Sequence, residues 1–462
     1  MTVQTLAGIE AGEASEEAAV LPEPRFSPGE LTDILGERNR PTEEQSAIIA
    51  SPLTPRLVIA GAGSGKTATM ADRVVWLVAN GWVRPEEVLG VTFTRKAAGE
   101  LASRIRAKLA TLQRIASSDN GEYGFPEGVA GSDELEPKVS TYHSYASGIV
   151  SDYGLRLGIE RDVVLLGGAQ AWQLASEVVE AYDGDYEHFT AAKSTLVNAV
   201  MQLAGECAEH LREPAEVQGW LMDRVSEFAQ LPYMSAAKKN PTQAAGDLGA
   251  MLRTRASVAD MVGRYQEAKR NRGVLDFGDL VALAAKIAQD IPLAAATERA
   301  RYKVVLLDEF QDTSHAQLVL FSRLFGGGHA VTAVGDPNQS IYGFRGASAG
   351  QLFHFVQEFP VRVEDGLGPA SLAKAPTSYL TTAWRNGRNI LAAANVIAAP
   401  LNKAAASEGA PARGPKRVLW RYLHCSRARQ RRTAALFSDD LPPTKTKPQR
   451  LPGRPPLPPH SL

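Results

Sequence analysis

Cysteine is nearly missing from this sequence: Cys207 and Cys425 are the two in 462 residues. Neither sits in a CxxC or Cys/His cluster, so the pattern offers no zinc or iron–sulfur site and no disulfide framework. Two lone thiols suit a reducing compartment. Net charge is also nearly missing, at -1. Global charge therefore gives no argument for a nucleic-acid partner, and any such surface must come from local clusters of Lys and Arg. No apolar run approaches the length of a membrane span, so a membrane partner is not expected. The N-terminus carries Glu10, Glu13, Glu16 and Glu17 without an apolar core, which excludes a secretory signal. A cytoplasmic location is the expectation.

What is present reads as a globular chain of several units. Hydrophobic residues make up 44% and charged residues 22%, ordinary for a domain with a large buried core. Residues 1–38 are rich in Ala, Glu, Gly and Pro and read as a flexible leader. The run Arg56–Ala60 is short, apolar and closed by glycines, as a buried parallel strand is. Lys66–Ala79 then carries Met70, Val74 and Leu77 on one helical face. Val88–Phe93 reads as a second strand and Lys96–Leu109 as a second helix. Strand, helix, strand, helix with short links predicts an α/β fold built on a parallel sheet.

From Gln170 to about Asp290 the periodicity turns mostly helical. Strand texture returns at Tyr302–Phe310 and His329–Asp336. The expected organisation is a first α/β unit in two parts, 39–110 and 300–372, with 111–299 as a mostly helical insertion and return. A second unit begins over 373–410. The tail, 411–462, combines Arg427, Arg429, Arg431 and Arg432 with eight prolines from Pro442 to Pro459. It is expected to be disordered. A reading-frame change or a basic arm that grips nucleic acid are two accounts of it.

The strongest chemical motif is AGAGSGKT, Ala60 to Thr67. Gly61, Gly63 and Gly65 allow a tight turn whose backbone N–H groups, with those of Ala62 and Ser64, face phosphate oxygens. The following helix adds the positive end of its dipole. Lys66 can reach the β- and γ-phosphates of ATP, and the Thr67 hydroxyl can ligate Mg²⁺. The general pattern opens with Gly where this chain has Ala60. The second motif, VVLLDEFQDT, ends an apolar strand at Asp308, a position for Mg²⁺ directly or through water. Glu309 would orient and deprotonate the attacking water. Gln45, just before the first strand, could read an adenine edge or be a surface amide. Gln339 and Arg345, in GDPNQSIYGFRGAS, could reach a γ-phosphate or belong to an ordinary polar loop.

PTEEQ, AGAGSGKT, TFTRKAAGEL, STYHSYA, LDFGDL, LLDEFQDTS and VGDPNQSIYGFRGAS occur in this order, and the chain resembles the UvrD/Rep/PcrA superfamily of DNA helicases over roughly residues 39–400. Its wording is similar to the actinobacterial AdnA/AdnB-like branch. The resemblance implies a RecA-like P-loop NTPase domain, a second RecA-like domain across the nucleotide, helical insertions, and 3′–5′ movement on single-stranded DNA in repair or recombination. It implies adenine contact by Gln45 and γ-phosphate sensing by Gln339, Arg345 and Arg385. It also implies DNA contact by Phe93, Thr94 and His143, base stacking by Tyr342 and Phe344, and a helicase or helicase–nuclease partner subunit. Single-stranded or duplex DNA is the expected substrate. Many members have Trp at the Phe344 position and Asn at the Ala383 position. After Leu401 the resemblance stops, without the segments that complete the second domain, so the chain reads as truncated within it. A nearly inactive ATP- and DNA-binding fragment is therefore the alternative to a working helicase.

Overall fold

The computed structural model describes residues 22–119, 121–126, 129, 136–161, 163–185, 189, 192–230, 243–341, 349–363, 371–407 and 421–422. In chain order, α1 (Pro28–Ile34) and α2 (Glu43–Ile49) precede β1 (Arg56–Ala60), α3 (Lys66–Ala79), β2 (Val88–Thr92), α4 (Arg95–Ser118), β3 (Lys138–Thr141) and α5 (Tyr142–Tyr153). A helical stretch follows: β4 (Val164–Leu165), α6 (Gly168–Glu180), α7 (Lys193–Glu209), α8 (Pro214–Gln230), α9 (Gln243–Asn271) and β5 (Val274–Leu275). The chain then returns through α10 (Phe277–Asp290), α11 (Pro292–Arg301), β6 (Val304–Leu307), α12 (His315–Phe325), β7 (Ala330–Gly335) and α13 (Ala349–Glu358). The hairpin β8 (Val361–Val363) and β9 (Ser371–Ala373) leads to β10 (Thr377–Leu380), β11 (Thr382–Ala383), α14 (Arg388–Ser407) and β12 (Arg421–Tyr422).

Six strands form one parallel sheet in the order β10-β1-β7-β6-β2-β3. The α/β expectation is met. Because side chains alternate across a strand, the sheet feeds two cores. Leu57, Ile59, Val305, Leu307, Val331 and Ala333 pack with α5, α10, α12 and α13 on one face. Val58, Ala60, Val304, Leu306 and Val334 pack with α3 and α4 on the other. Helix α4 runs past the expected Leu109 to Ser118 because Leu101, Ile105, Leu109, Leu112 and Ala116 continue one buried stripe.

The sheet recruits residues from outside the spans expected for it. Strand β3 pairs with β2, and Tyr142, Tyr145 and Ile149 of α5 enter the sheet's core. The helical excursion is narrower than 111–299: α6, α7 and α9 share a separate core around Leu174, Val197, Met261 and Tyr265. At the other end, β10 lies parallel on β1 as the sheet's edge, beyond the expected limit at residue 372. Residues 22–38 are not a flexible leader. Ser27 and Glu30 form a capping box for α1, and Trp76 Nε1 donates to the Phe26 carbonyl at 2.6 Å. Phe26 and Leu31 are buried, which binds this segment to α3. The leader before residue 22, the tail from 423 and the stretch 408–420 lie outside the described residues. No single helix among the described residues is long and apolar enough to cross a membrane.

Candidate functional site

β1 delivers the glycine-rich loop 60–67 at the C-terminal edge of the sheet, where parallel α/β folds bind ligands. Ala60 is fully buried at the strand's end. Gly63 and Gly65 take φ of +76° and +91°, the left-handed region where a side chain is strained. Gly65 also caps α3, so Lys66 and Thr67 occupy that helix's first turn, whose N–H groups are free of intrahelical bonds. Ser64 is buried, and its Oγ donates to the Gly61 carbonyl at 2.8 Å, closing the loop on itself. Ala62 faces solvent. The first-turn N–H groups of α3 are thereby left to hold an anionic group.

Gln45 packs against this loop. Its amide oxygen accepts from the Thr42 N–H at 2.9 Å, and its Nε2 donates to the Ser64 carbonyl at 3.4 Å. A Cβ on Gly65 would stand 2.8 Å from that same Nε2. The amide is thus held at the loop rather than free on the surface. Glu44, one residue earlier, accepts from the Thr381 N–H at 2.8 Å and hydroxyl at 2.5 Å, tying α2 to the segment after β10.

Lys66 Nζ donates to Glu309 Oε2 at 2.8 Å, joining two motifs 243 residues apart. Burial works to raise the Glu309 carboxyl. Lys66 and the Gln311 amide outweigh it, so Glu309 titrates below its ordinary value. Its backbone is left-handed, with φ of +49° for a residue that carries a side chain, a strained state common at functional positions. Asp308 differs. It is buried at the strand end, and its Oδ1 accepts from the Glu309 N–H at 3.0 Å. Burial, then the Glu309 charge, push its carboxyl up to about 6. A buried carboxylate beside a second acid is a fitting ligand for a hard divalent cation, which would relieve the charge; Asp308 and Thr67 are the candidate Mg²⁺ holders.

The loop after β7 closes the site. Gln339 Nε2 donates to Asp336 Oδ2 at 2.5 Å, and the Asp336 N–H donates to Gln311 Oε1 at 3.0 Å. Gln311 and Asp336, absent from the sequence-based set, therefore link Gln339 to Glu309. Arg385 approaches from the opposite side: its Cβ lies 2.5 Å from where a Gly63 Cβ would sit, and the Trp384 N–H donates to the Gly63 carbonyl at 2.8 Å. Tyr342, Phe344 and Arg345 lie outside the described residues.

A cleft of about 820 Å³ opens next to this site, between the sheet and the helical excursion. Phe93, His143 and Arg95 line it, with Asp312, Ser314 and Gln317 directly following the Asp308–Glu309 strand end. Phe277 joins them, 55% exposed at the start of α10 and edge-on to the His143 ring at 6.3 Å between centroids. Its only sequence signal was an aromatic inside LDFGDL. Thr94 is exposed beside Phe93 and caps α4, its Oγ accepting from the Ala97 N–H at 3.1 Å.

Residues 41–360 match the family model described as UvrD/REP helicase N-terminal domain. The chain is 28% identical over 383 residues to the ATP-dependent DNA helicase UvrD1 of Mycobacterium leprae, covering 80% of this chain and 41% of that protein. It is 26% identical to the ATP-dependent DNA helicase PcrA of Staphylococcus epidermidis, over 77% of this chain and 39% of that protein. DNA helicase II of Escherichia coli is also 26% identical, over 77% and 40%. The chain spans about two fifths of the length of these relatives.

Proposed function

This chain belongs to the UvrD/REP helicase family, and we propose that it is the ATP-hydrolysing side of a DNA helicase that moves 3′–5′ on single-stranded DNA in repair or recombination. The observation that carries this reading is the Lys66–Glu309 contact at 2.8 Å, at the same sheet edge as the aromatic-lined cleft. The pair holds the Lys66 side chain at the start of α3, beside the glycine loop. When ATP enters, its phosphates compete for Lys66, and Glu309 is released to accept a proton from water. Gln311 and the charge of the departing Lys66 held that carboxylate ionised beforehand, so the base is ready in its active form. A bound Mg²⁺, held by Thr67 and Asp308, would neutralise phosphate charge. Gln45 would meet adenine, Gln339 the γ-phosphate, and Arg345 and Arg385 would complete the charge around it.

The strand would run through the cleft with bases on Phe93, His143 and Phe277, each stack worth about 1–3 kcal/mol without sequence preference. Tyr342 and Phe344 would add further stacking. Glu206 and Glu209 on the far wall argue against a grip by phosphate charge alone. The AdnA/AdnB-like affiliation, a cytoplasmic location and a partner subunit belong to this reading.

A second reading is a nearly inactive ATP- and DNA-binding chain that turns over only with a partner. It is favoured by α14, where Ile390, Val396 and Ile397 are 63%, 75% and 74% exposed. Hydrolysis of ATP with and without oligothymidylate separates the two, with Lys66→Ala as control. DNA-stimulated phosphate release that falls about 100-fold or more in the control supports the motor. Nucleotide and DNA binding without turnover supports the second reading, and loss of both kinds of binding in wild type removes each.

A further inference from the structure

Gln311 is 1% exposed and bonds in four directions. Its Nε2 donates to Glu309 Oε2 at 2.8 Å and to Asp312 Oδ2 at 3.3 Å. Its Oε1 accepts from the Asp336 N–H at 3.0 Å, and its backbone carbonyl accepts from Ser340 Oγ at 3.2 Å. The amide cannot be turned round: a flip would aim the oxygen at two carboxylates and the NH₂ at a backbone N–H. Gly335 leaves room for it, since a Cβ there would stand only 2.7 Å from Oε1.

The two carboxylates that share Nε2 face different places. Glu309 pairs with Lys66 at the phosphate loop. Asp312 lines the cleft, and its Oδ1 accepts from the Ile341 N–H at 3.2 Å, at the start of the segment that carries the expected stacking aromatics. One buried amide therefore touches the base of the ATP site and the floor of the cleft at once.

From this we infer that Gln311 is the positioning residue through which occupancy of the cleft reaches Glu309. The inference rests on the cleft being the DNA path proposed above. A strand that draws on Asp312, or shifts the Ile341 segment bonded to it, changes how the Nε2 hydrogens divide between the carboxylates. That reorients Glu309 relative to Lys66. The link is short and made of polar groups in direct hydrogen-bond contact. By reciprocity, nucleotide at the loop must alter DNA affinity by the same factor.

The test needs no turnover. The affinity of the full chain for a slowly hydrolysed fluorescent ATP analogue is measured with and without saturating oligothymidylate, and DNA affinity by anisotropy. Wild type should show at least an approximately fivefold effect of DNA on nucleotide affinity. In Gln311→Met, which keeps the shape and removes the donors, that ratio should fall to within twofold of unity, while each ligand alone still binds. Asp312→Asn, which keeps the shape of a residue lining the cleft and an oxygen able to accept from the Ile341 N–H, should also cut the ratio at least in half. Wild type that binds nucleotide but not DNA sinks the DNA-path reading and this inference with it. Wild type that binds both without coupling, or variants that keep the full ratio, overturn the inference alone.

Discussion

Two lysines among the described residues are nearly buried, and they are built to opposite ends. Lys269, at the end of α9, is 4% exposed and donates to Asp276 at 2.6 Å and to both oxygens of Asp279 at 2.8 and 2.7 Å. The Tyr265 ring covers it at 4.6 Å. Asp276 and Asp279 also form the capping box that starts α10. Every charge there has a permanent neighbour. Lys66 is 11% exposed and has one carboxylate, on a residue that is itself a third exposed and strained in φ. The first arrangement locks the helical excursion to α10 and fixes Phe277 next to its cap. The second is a pair that a competing anion can take apart. An ion pair used in chemistry must be exchangeable, so it is left with few partners and an open side.

The widest separation between the two sites should come from removing each cation. Lys269→Met leaves two partly buried acids facing each other, one of them, Asp279, already raised by burial and by Asp276. Stability should drop by about 3–5 kcal/mol, read from urea unfolding. Lys66→Met leaves Glu309 partly hydrated and still held by Gln311, so its cost should stay below about 1 kcal/mol. Equal losses would erase the distinction. A smaller effect sharpens it within the exchangeable site. Glu309→Gln should keep nucleotide affinity within a few fold while lowering any measured hydrolysis by at least about 100-fold; rates near wild type would remove Glu309 from the role of base.

The exchangeable site was legible in sequence because its parts are local. A glycine loop between strand and helix, and an acid pair ending an apolar run, announce their backbone and their chemistry together. The permanent site was not legible. Lys269 and Asp279 look like ordinary surface charges until α9 and α10 are packed, and Gln311 is one polar residue in an acidic segment until Asp336 arrives from another strand. The same limit applies to β10: Thr377–Leu380 reads as the opening of a second unit, and only its register on β1 shows that it completes the first sheet. Phe277 was hidden for a different reason, since an aromatic at a helix start ordinarily packs inward.

The effect confined to one pH window lies at Asp308, the one acid of the exchangeable site that Lys66 does not touch with a hydrogen bond. Its folded value, about 6, stands above the ordinary aspartate value of 3.8. The folded chain therefore binds this proton more tightly than the unfolded one. The stability it contributes is full below about 4 and is lost as the pH rises through about 6. Asp308→Asn has no charge to desolvate, so it should not show that loss. Between pH 4 and 6.5 the nucleotide- and metal-free wild type should lose roughly 5–10 °C of melting temperature relative to Asp308→Asn, at about 1.4 kcal/mol per pKa unit and about 2–4 °C per kcal/mol for a domain of this class. Adding Mg²⁺ with nucleotide should reverse the difference at neutral pH, because the cation favours the ionised form that burial opposes. Parallel melting curves across this range would mean that Asp308 is hydrated in solution, and the contrast between a charge left waiting for a cation and charges permanently paired would then hold for the lysines alone.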